Sequence, residues 1–155
     1  MKLKTALLAL FAGLCIWIIF PYLVIKLNQF LGLPALTFLP LQILGWFLII
    51  SGITTYAHLT LIFKVFGEGT PMPTDPPKKF VLESLYQRTR NPMYISHLVI
   101  FLGEFFVFGS ILLLVYTAVS WLFIHLVVIL LEEPGLKKRF GKEYETYCRK
   151  TPRWF

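Results

Sequence analysis

The run Arg90-Asn91-Pro92-Met93-Tyr94, read together with Glu132-Glu133-Pro134, decides the fold of this chain. The first run enters an apolar stretch and the second leaves it. The roughly forty residues between them suffice to cross a bilayer and return, at about twenty residues per pass. A helical hairpin is therefore expected, with both polar clusters at the same water interface. Phe140-Gly141-Lys142-Glu143-Tyr144, Tyr147 and Pro152-Arg153-Trp154 follow on that side. Residues from Arg90 to Trp154 can then build one site that faces a substrate held in the membrane.

Composition agrees with a chain whose solvent is lipid. Hydrophobic residues make up 57% and charged residues 15%, too little charge to cover a soluble domain of this length. The formal net charge of +7 would suit a nucleic acid if the cations shared one soluble face. They flank the apolar runs instead, so no nucleic-acid partner is expected. Cys15 lies in an apolar run and Cys148 in a basic tail, a spacing that gives neither a disulfide framework nor a zinc site. Both are expected to be reduced, and no metal is expected.

Four apolar segments, at about residues 5–25, 41–63, 94–109 and 111–131, imply an all-α integral membrane protein with about four transmembrane helices. The first is read as a retained helix, bent near Pro21, because its apolar run is longer than a signal-peptide core and no small-x-small cleavage site follows. Placing both termini and the 64–93 loop on one side gathers every Lys and Arg except Lys26 there. That asymmetry implies an N-in, C-in topology. The loop of residues 26–40, apolar apart from Lys26 and a few polar positions and carrying Pro34 and Pro40, is expected against the outer headgroups. Residues 1–63 thus form two N-terminal transmembrane helices, and residues 64–155 form the catalytic region of cytosolic loop, hairpin and C-terminal lid. Gly45, Ser51 and Gly52 could pack against the hairpin or against another subunit, and the oligomeric state stays open.

The 64–93 loop contains Gly67-Glu68-Gly69-Thr70-Pro71-Met72-Pro73 and then Pro76-Pro77-Lys78-Lys79, which favours a stiff, extended strap. Gly67-x-Gly69 reads as a turn and Lys78-Lys79 as headgroup anchors. After Pro134, Leu136, Phe140, Tyr144 and Tyr147 recur at helical spacing among Lys and Glu, as in one interfacial amphipathic helix. Taken singly, Tyr94 and Trp154 fit belt aromatics, Arg90 a positive-inside anchor, and Glu132-Glu133-Pro134 the start of a surface helix. Two acids at the cytosolic end of a span, where the orientation rule would be met by Lys or Arg, point to a functional role for Glu132 and leave Glu133 open.

Three histidines and Glu104 lie within the apolar segments. An antiparallel hairpin turning near Gly109-Ser110 sets His125 level with Tyr94 and His97 level with Trp121. His58 lies within about two turns of the second segment's cytosolic end. A polar floor of histidines beneath the site is one expectation, and helix-packing hydrogen bonds are the other. Glu104 lies deeper, near Tyr116, as a substrate-channel residue or a hydrogen-bond partner of that tyrosine.

Pro71-x-Pro73, Lys78-Lys79-Phe80-Val81, Leu85-Tyr86, Arg90-Asn91-Pro92-Met93-Tyr94, Glu132-Glu133, Phe140-Gly141-x-x-Tyr144-x-x-Tyr147 and Pro152-Arg153 together resemble the isoprenylcysteine carboxyl methyltransferases and their prokaryotic relatives, which are similar in turn to phospholipid N-methyltransferases. The resemblance covers about residues 64–155. It implies a membrane methyltransferase that uses S-adenosylmethionine on the cytosolic side. Carried over, the cofactor contacts fall on Lys78, Lys79, Phe80, Val81, Tyr86, Asn91, Pro92, Met93, Tyr94, Glu132, Glu133 and Tyr144. Arg90, Tyr94, Glu132 and His125 are the candidate catalytic residues, and His97, His125 and Glu104 the candidate substrate contacts. Elementary chemistry supports part of this. Aromatic faces such as Tyr86 and Tyr94 stabilise a sulfonium, a carboxylate such as Glu132 binds an ammonium or ribose hydroxyls, and Arg90 can pair a carboxylate. Methyl transfer is an in-line displacement at an activated carbon, so alignment and water exclusion matter more than a dedicated nucleophile.

Two departures from the family pattern stand out. Val128 occupies the place, four residues before the first acid, where prenylcysteine enzymes carry an Arg, and Ser84 stands where many relatives have Gly. The acceptor is therefore expected to be a lipophilic small molecule or lipid headgroup, offering a carboxylate, thiol or amine, in a bacterial or archaeal cell membrane. Sterol-reductase-type enzymes share spaced tyrosines ending near Pro-Arg, so an NADPH-dependent membrane reductase is the alternative enzyme. A non-catalytic membrane protein that binds a partner through its basic face is the third reading.

Overall fold

The computed structural model describes residues 3–70 and 75–155, and the Pro71-x-Pro73 part of the motif lies outside them. The described residues are helical throughout, apart from loops and a single antiparallel bridge between Ala35 and Ser110. In chain order the helices are α1 (Leu3–Leu14), α2 (Phe20–Phe30), α3 (Leu39–Phe66), α4 (Pro92–Phe108), α5 (Ile111–Val127), α6 (Glu133–Phe140) and α7 (Lys142–Lys150). A wide π-turn, Cys15–Ile19, joins α1 to α2, and another, Val128–Glu132, joins α5 to α6.

Three continuous helical runs, Leu7–Phe30, Leu39–Phe66 and Ile111–Phe140, are long and apolar enough to cross a membrane. The fourth expected segment, α4, has 17 residues. At 1.5 Å per residue it measures roughly 26 Å, short of a hydrocarbon core of about 30 Å. The first helix also runs to Phe30, beyond the boundary near residue 25 expected from the sequence.

Both π-turns have the same cause. Pro21 and Pro134 lack an N–H, and their rings crowd the carbonyl four residues earlier. In each case the residue just before the proline reaches five residues back, Phe20 N–H to Cys15 O and Glu133 N–H to Val128 O. The expected bend at Pro21 is thus absorbed as a widened turn ahead of the proline.

At the end of the bundle remote from the polar clusters, Asn28 fastens the two turns together. It is buried, donates from Nδ2 to Leu33 O at 2.9 Å and accepts the Leu112 N–H on Oδ1 at 3.2 Å. Leu36 N–H bonds Gly109 O at 2.9 Å. Gly109 has φ +64°, and a Cβ there would lie 2.3 Å from Leu36 O, so no other residue fits without displacing the loop.

α3 and α4 approach backbone to backbone through glycines. A Cβ on Gly45 would stand 2.6 Å from Gly103 O, one on Gly103 2.7 Å from Gly45 O, and one on Gly52 2.7 Å from Ile100 Cγ1. The small residues of the second segment therefore pack against the hairpin. In lipid this close van der Waals fit substitutes for a hydrophobic drive that hardly exists between helices. Leu10, Phe11, Phe47, Ile50, Phe123 and Leu130 correspondingly turn outward.

The tail does not form the single amphipathic helix expected after Pro134. Gly141, at φ +53° and ψ −125°, breaks it into α6, which continues the last span, and α7, which folds back under it. That backbone conformation is accessible essentially to glycine alone.

Candidate active site

The N-terminal end of α4 is set by Asn91 ahead of the helix and Pro92 at its first turn, where a missing N–H costs nothing. The segment just before it is tied to the C-terminus. Arg90 N–H bonds Pro152 O at 3.0 Å, and Asn91 Nδ2 and Thr89 Oγ1 both donate to Arg153 O, at 3.0 and 3.2 Å. Tyr147 Oη donates to Tyr86 O at 2.6 Å. Phe80 fills the space between strap and tail, with its ring 5.1 Å from that of Phe140 and 5.2 Å from that of Tyr147. Burial raises the phenols of Tyr86, Tyr144 and Tyr147 above their ordinary value, so all three stay protonated donors.

Beside these ties lies a cavity of about 650 Å³. Tyr56 and Phe63 of α3, Pro76, Pro77 and Tyr86 of the strap, Arg90, Asn91, Met93, Tyr94 and His97 around the start of α4, and Leu131, Glu132, Gly135, Leu136 and Arg139 beyond α5 form its walls. A volume of this size with mostly apolar and aromatic walls and a few polar groups is typical of a small-molecule site. At one wall, Tyr94 Oη donates to Glu132 Oε1.

The two adjacent acids part company. Glu132 faces the cavity and Tyr94, whereas Glu133 faces the tail. Glu133 accepts from Arg153 Nε at 2.7 Å and Nη2 at 2.8 Å, a two-pronged contact, and from Arg90 Nη1 at 2.9 Å. Arg90 Nη1 also lies 3.0 Å from Cys148 Sγ. Its Nε, on a residue lining the cavity, is buried without a partner among the described residues. Such an orphaned donor suits an anionic group of a ligand.

Of the residues singled out in the sequence, Tyr86, Arg90, Asn91, Met93, Tyr94, His97 and Glu132 come together on the cavity. Lys78, Lys79, Phe80, Val81, Pro92, Glu133 and Tyr144 are not among its walls. The backbone N–H groups of Lys78 and Lys79 bond Gly67 O, the Lys79 side chain pairs with Glu68, and Val81 is buried beside Leu59, Tyr86 and Met93. Pro92 is buried in the first turn of α4, and Tyr144 on the inward face of α7. Gly67 and Gly69 are close-packing positions, where a Cβ would come within 2.9 Å of Pro77 Cβ and 2.7 Å of Pro76 O.

The histidines do not form one floor. His125 accepts from Trp154 Nε1 at 3.0 Å and stacks on Trp121, and His58 lies 3.1 Å from Ser84 Oγ, neither on the cavity. Glu104 is buried in α4 with Oε2 unpartnered among the described residues, away from the cavity and without a hydrogen bond to Tyr116.

Sequence reasoning missed Tyr56 and Phe63, which stand seven residues apart with Leu59 between them, on one face of α3. That i, i+3, i+7 spacing was the available signal. It also missed Arg139, which reaches Pro77 O to tie α6 to the strap.

Residues 34–143 match the phospholipid methyltransferase family. The chain belongs to that family, within the superfamily that also holds the isoprenylcysteine carboxyl methyltransferases, and is a membrane methyltransferase. The match takes in α3, ahead of the recognisable motifs, and ends before most of α7. No curated protein and no solved structure matches the chain.

Proposed function

From this membership we propose that the protein transfers a methyl group from S-adenosylmethionine to a lipid headgroup or lipophilic acceptor at the cytosolic face of the membrane. The observation that carries this reading is the Tyr94–Glu132 contact at one wall of a cavity whose other walls include Tyr56, Phe63 and Tyr86. When bound, the cofactor supplies a methyl carbon already activated by a positive sulfur. Aromatic faces attract such a cation and cost little to dehydrate. Glu132, oriented by the Tyr94 hydroxyl, is suited to an ammonium or to ribose hydroxyls, and the free Arg90 Nε to a carboxylate. The remaining task of the chain is alignment and water exclusion, to which the strap and α6 contribute as walls of the site while the tail braces the start of α4.

The topology proposed is N-in, C-in, because all Lys and Arg except Lys26 then lie on one side. Lipid is the acceptor class that a site at the interfacial start of α4 can reach. A prenylcysteine acceptor is disfavoured because Val128 is buried, 1% exposed, where that chemistry would want a cation. Calorimetric titration of the purified protein with S-adenosylhomocysteine tests the reading. Micromolar binding is expected, abolished by Glu132→Gln and by Tyr94→Ala. Binding of NADPH in its place, or of neither, would sink it.

A further inference from the structure

One hydrogen bond decides how His97 can act. Trp17 Nε1 donates to His97 Nδ1 at 2.9 Å. An indole N–H is only a donor, so Nδ1 must present its lone pair. A neutral imidazole of that form carries its proton on Nε2, and an imidazolium, with a proton on both nitrogens, cannot accept the bond. Aromatic neighbours hold the ring in place. Tyr56 lies 5.0 Å away between centroids and Phe101 stacks at 6.5 Å, while Trp17 sets its edge on Tyr56 at 5.0 Å.

His97 is also a wall of the cavity, three residues further into the bundle than Tyr94 on α4. No group among the described residues takes its Nε2 proton, whereas the Tyr94 hydroxyl is already engaged by Glu132. His97, deeper along α4 than Tyr94, therefore brings a donor not engaged by the described residues to the cavity wall.

Resting on the methyl-transfer reading, we propose that Trp17 is a positioning residue that fixes His97 as the Nε2–H tautomer, and that His97 donates this proton to a carbonyl, carboxylate or phosphate oxygen of the acceptor. His97 then orients the acceptor and does not remove its proton, because neither ring nitrogen has a free lone pair. Trp17 lies outside the matched segment of residues 34–143, so this element of acceptor selection comes from the N-terminal helix.

The test uses the full-length protein in detergent, with histidine-nitrogen NMR assigned by His97→Gln, and labelled methyl transfer to phosphatidylethanolamine vesicles. In the wild type His97 is expected to show a protonated Nε2 and a bare Nδ1, a preference that Trp17→Phe abolishes. Trp17→Phe should raise the KM for the vesicle lipid by about tenfold, the worth of one hydrogen bond, with S-adenosylhomocysteine affinity changed less than about twofold. His97→Gln, whose amide can donate from a similar place, should retain a KM within about threefold, whereas His97→Leu should behave like Trp17→Phe. A proton on Nδ1 in the wild type, or a Trp17→Phe effect confined to cofactor affinity, overturns the proposal. Loss of S-adenosylhomocysteine binding by the wild type overturns the methyl-transfer reading and the acceptor role with it, while the NMR signal separately decides the tautomer.

Discussion

Glu133→Gln and Glu132→Gln, adjacent and chemically identical substitutions, should fail in opposite ways. Glu133 is the common anion of two guanidiniums, with the Arg90 and Arg153 side chains 14% and 32% exposed and its own 18%. Removing the negative charge strands both cations. Stranding one partner of a fully buried pair costs about 3–5 kcal/mol. Here the exposure of Arg153 and the hydrogen bonds that Gln retains reduce this to roughly 2–3 kcal/mol. For a chain of this length that is a fall in Tm of about 5–10 °C. The tail should loosen first, since Arg153 O is what Thr89 and Asn91 grip. Glu132→Gln removes a charge held, among the described residues, by the Tyr94 hydroxyl alone, so its Tm should change by less than about 2 °C while cofactor binding is lost. Thermal unfolding of the detergent-solubilised variants, run beside S-adenosylhomocysteine titrations, reads both quantities. The reasoning is refuted if Glu133→Gln leaves Tm unchanged and abolishes binding as Glu132→Gln does.

Gly103→Ala should destabilise the protein by about 1–3 kcal/mol in a denaturation assay, because its Cβ would enter the space of Gly45 O at 2.7 Å and force α3 from α4. Ser84→Gly should stabilise it by up to about 1 kcal/mol by thermal unfolding, since Ser84 sits at φ +58° and gives up only an exposed contact to His58. Stability should decline as pH rises beyond about 10: the raised folded-state values of Tyr86, Tyr144 and Tyr147 mean that their contribution is complete below the unfolded phenol value and is lost above it. Chemical denaturation across alkaline pH measures this, and Tyr147→Phe should flatten the decline while costing about 1 kcal/mol at neutral pH through the lost bond to Tyr86 O.

The hairpin was legible because its signals are long-range averages, namely apolar length and the polar clusters at its ends. Gly45 and Gly52 were legible as packing residues because in lipid a small side chain on a helix has little other use. The parts not legible depend on register. Nothing in Glu132-Glu133 says which acid faces the cavity, since one residue of helix is a rotation of about 100° and a π-turn alters it. Ser84 could be read only as a departure from a pattern, whereas its left-handed backbone explains why glycine suits the position. Trp17 lay too far from the motifs, eighty residues before His97 in sequence, for spacing to connect them. Gly141 was visible, yet a glycine inside an amphipathic repeat does not by itself announce a break.

The two π-turns link fold to site. Each sits immediately ahead of a proline, and each carries a side chain that contacts the first turns of α4: Trp17 to His97 and Glu132 to Tyr94. Tyr94 and His97 stand three residues apart, on one face of that helix. The prolines therefore shape more than the course of the two long helices. By widening one turn each, they set the rotation at which an indole donor and a carboxylate arrive at α4 from different helices. A straight α-helix through either region would place the residue about a third of a turn away. The same device accounts for the split between the acids. The widened turn ends at Glu132, so Glu132 belongs to the wide segment facing the cavity, while Glu133 begins the next helix and meets Arg90 and Arg153. Facing the cavity and bracing the tail fall to neighbouring carboxylates through a backbone irregularity whose cause, a proline at position 134, is written in the sequence.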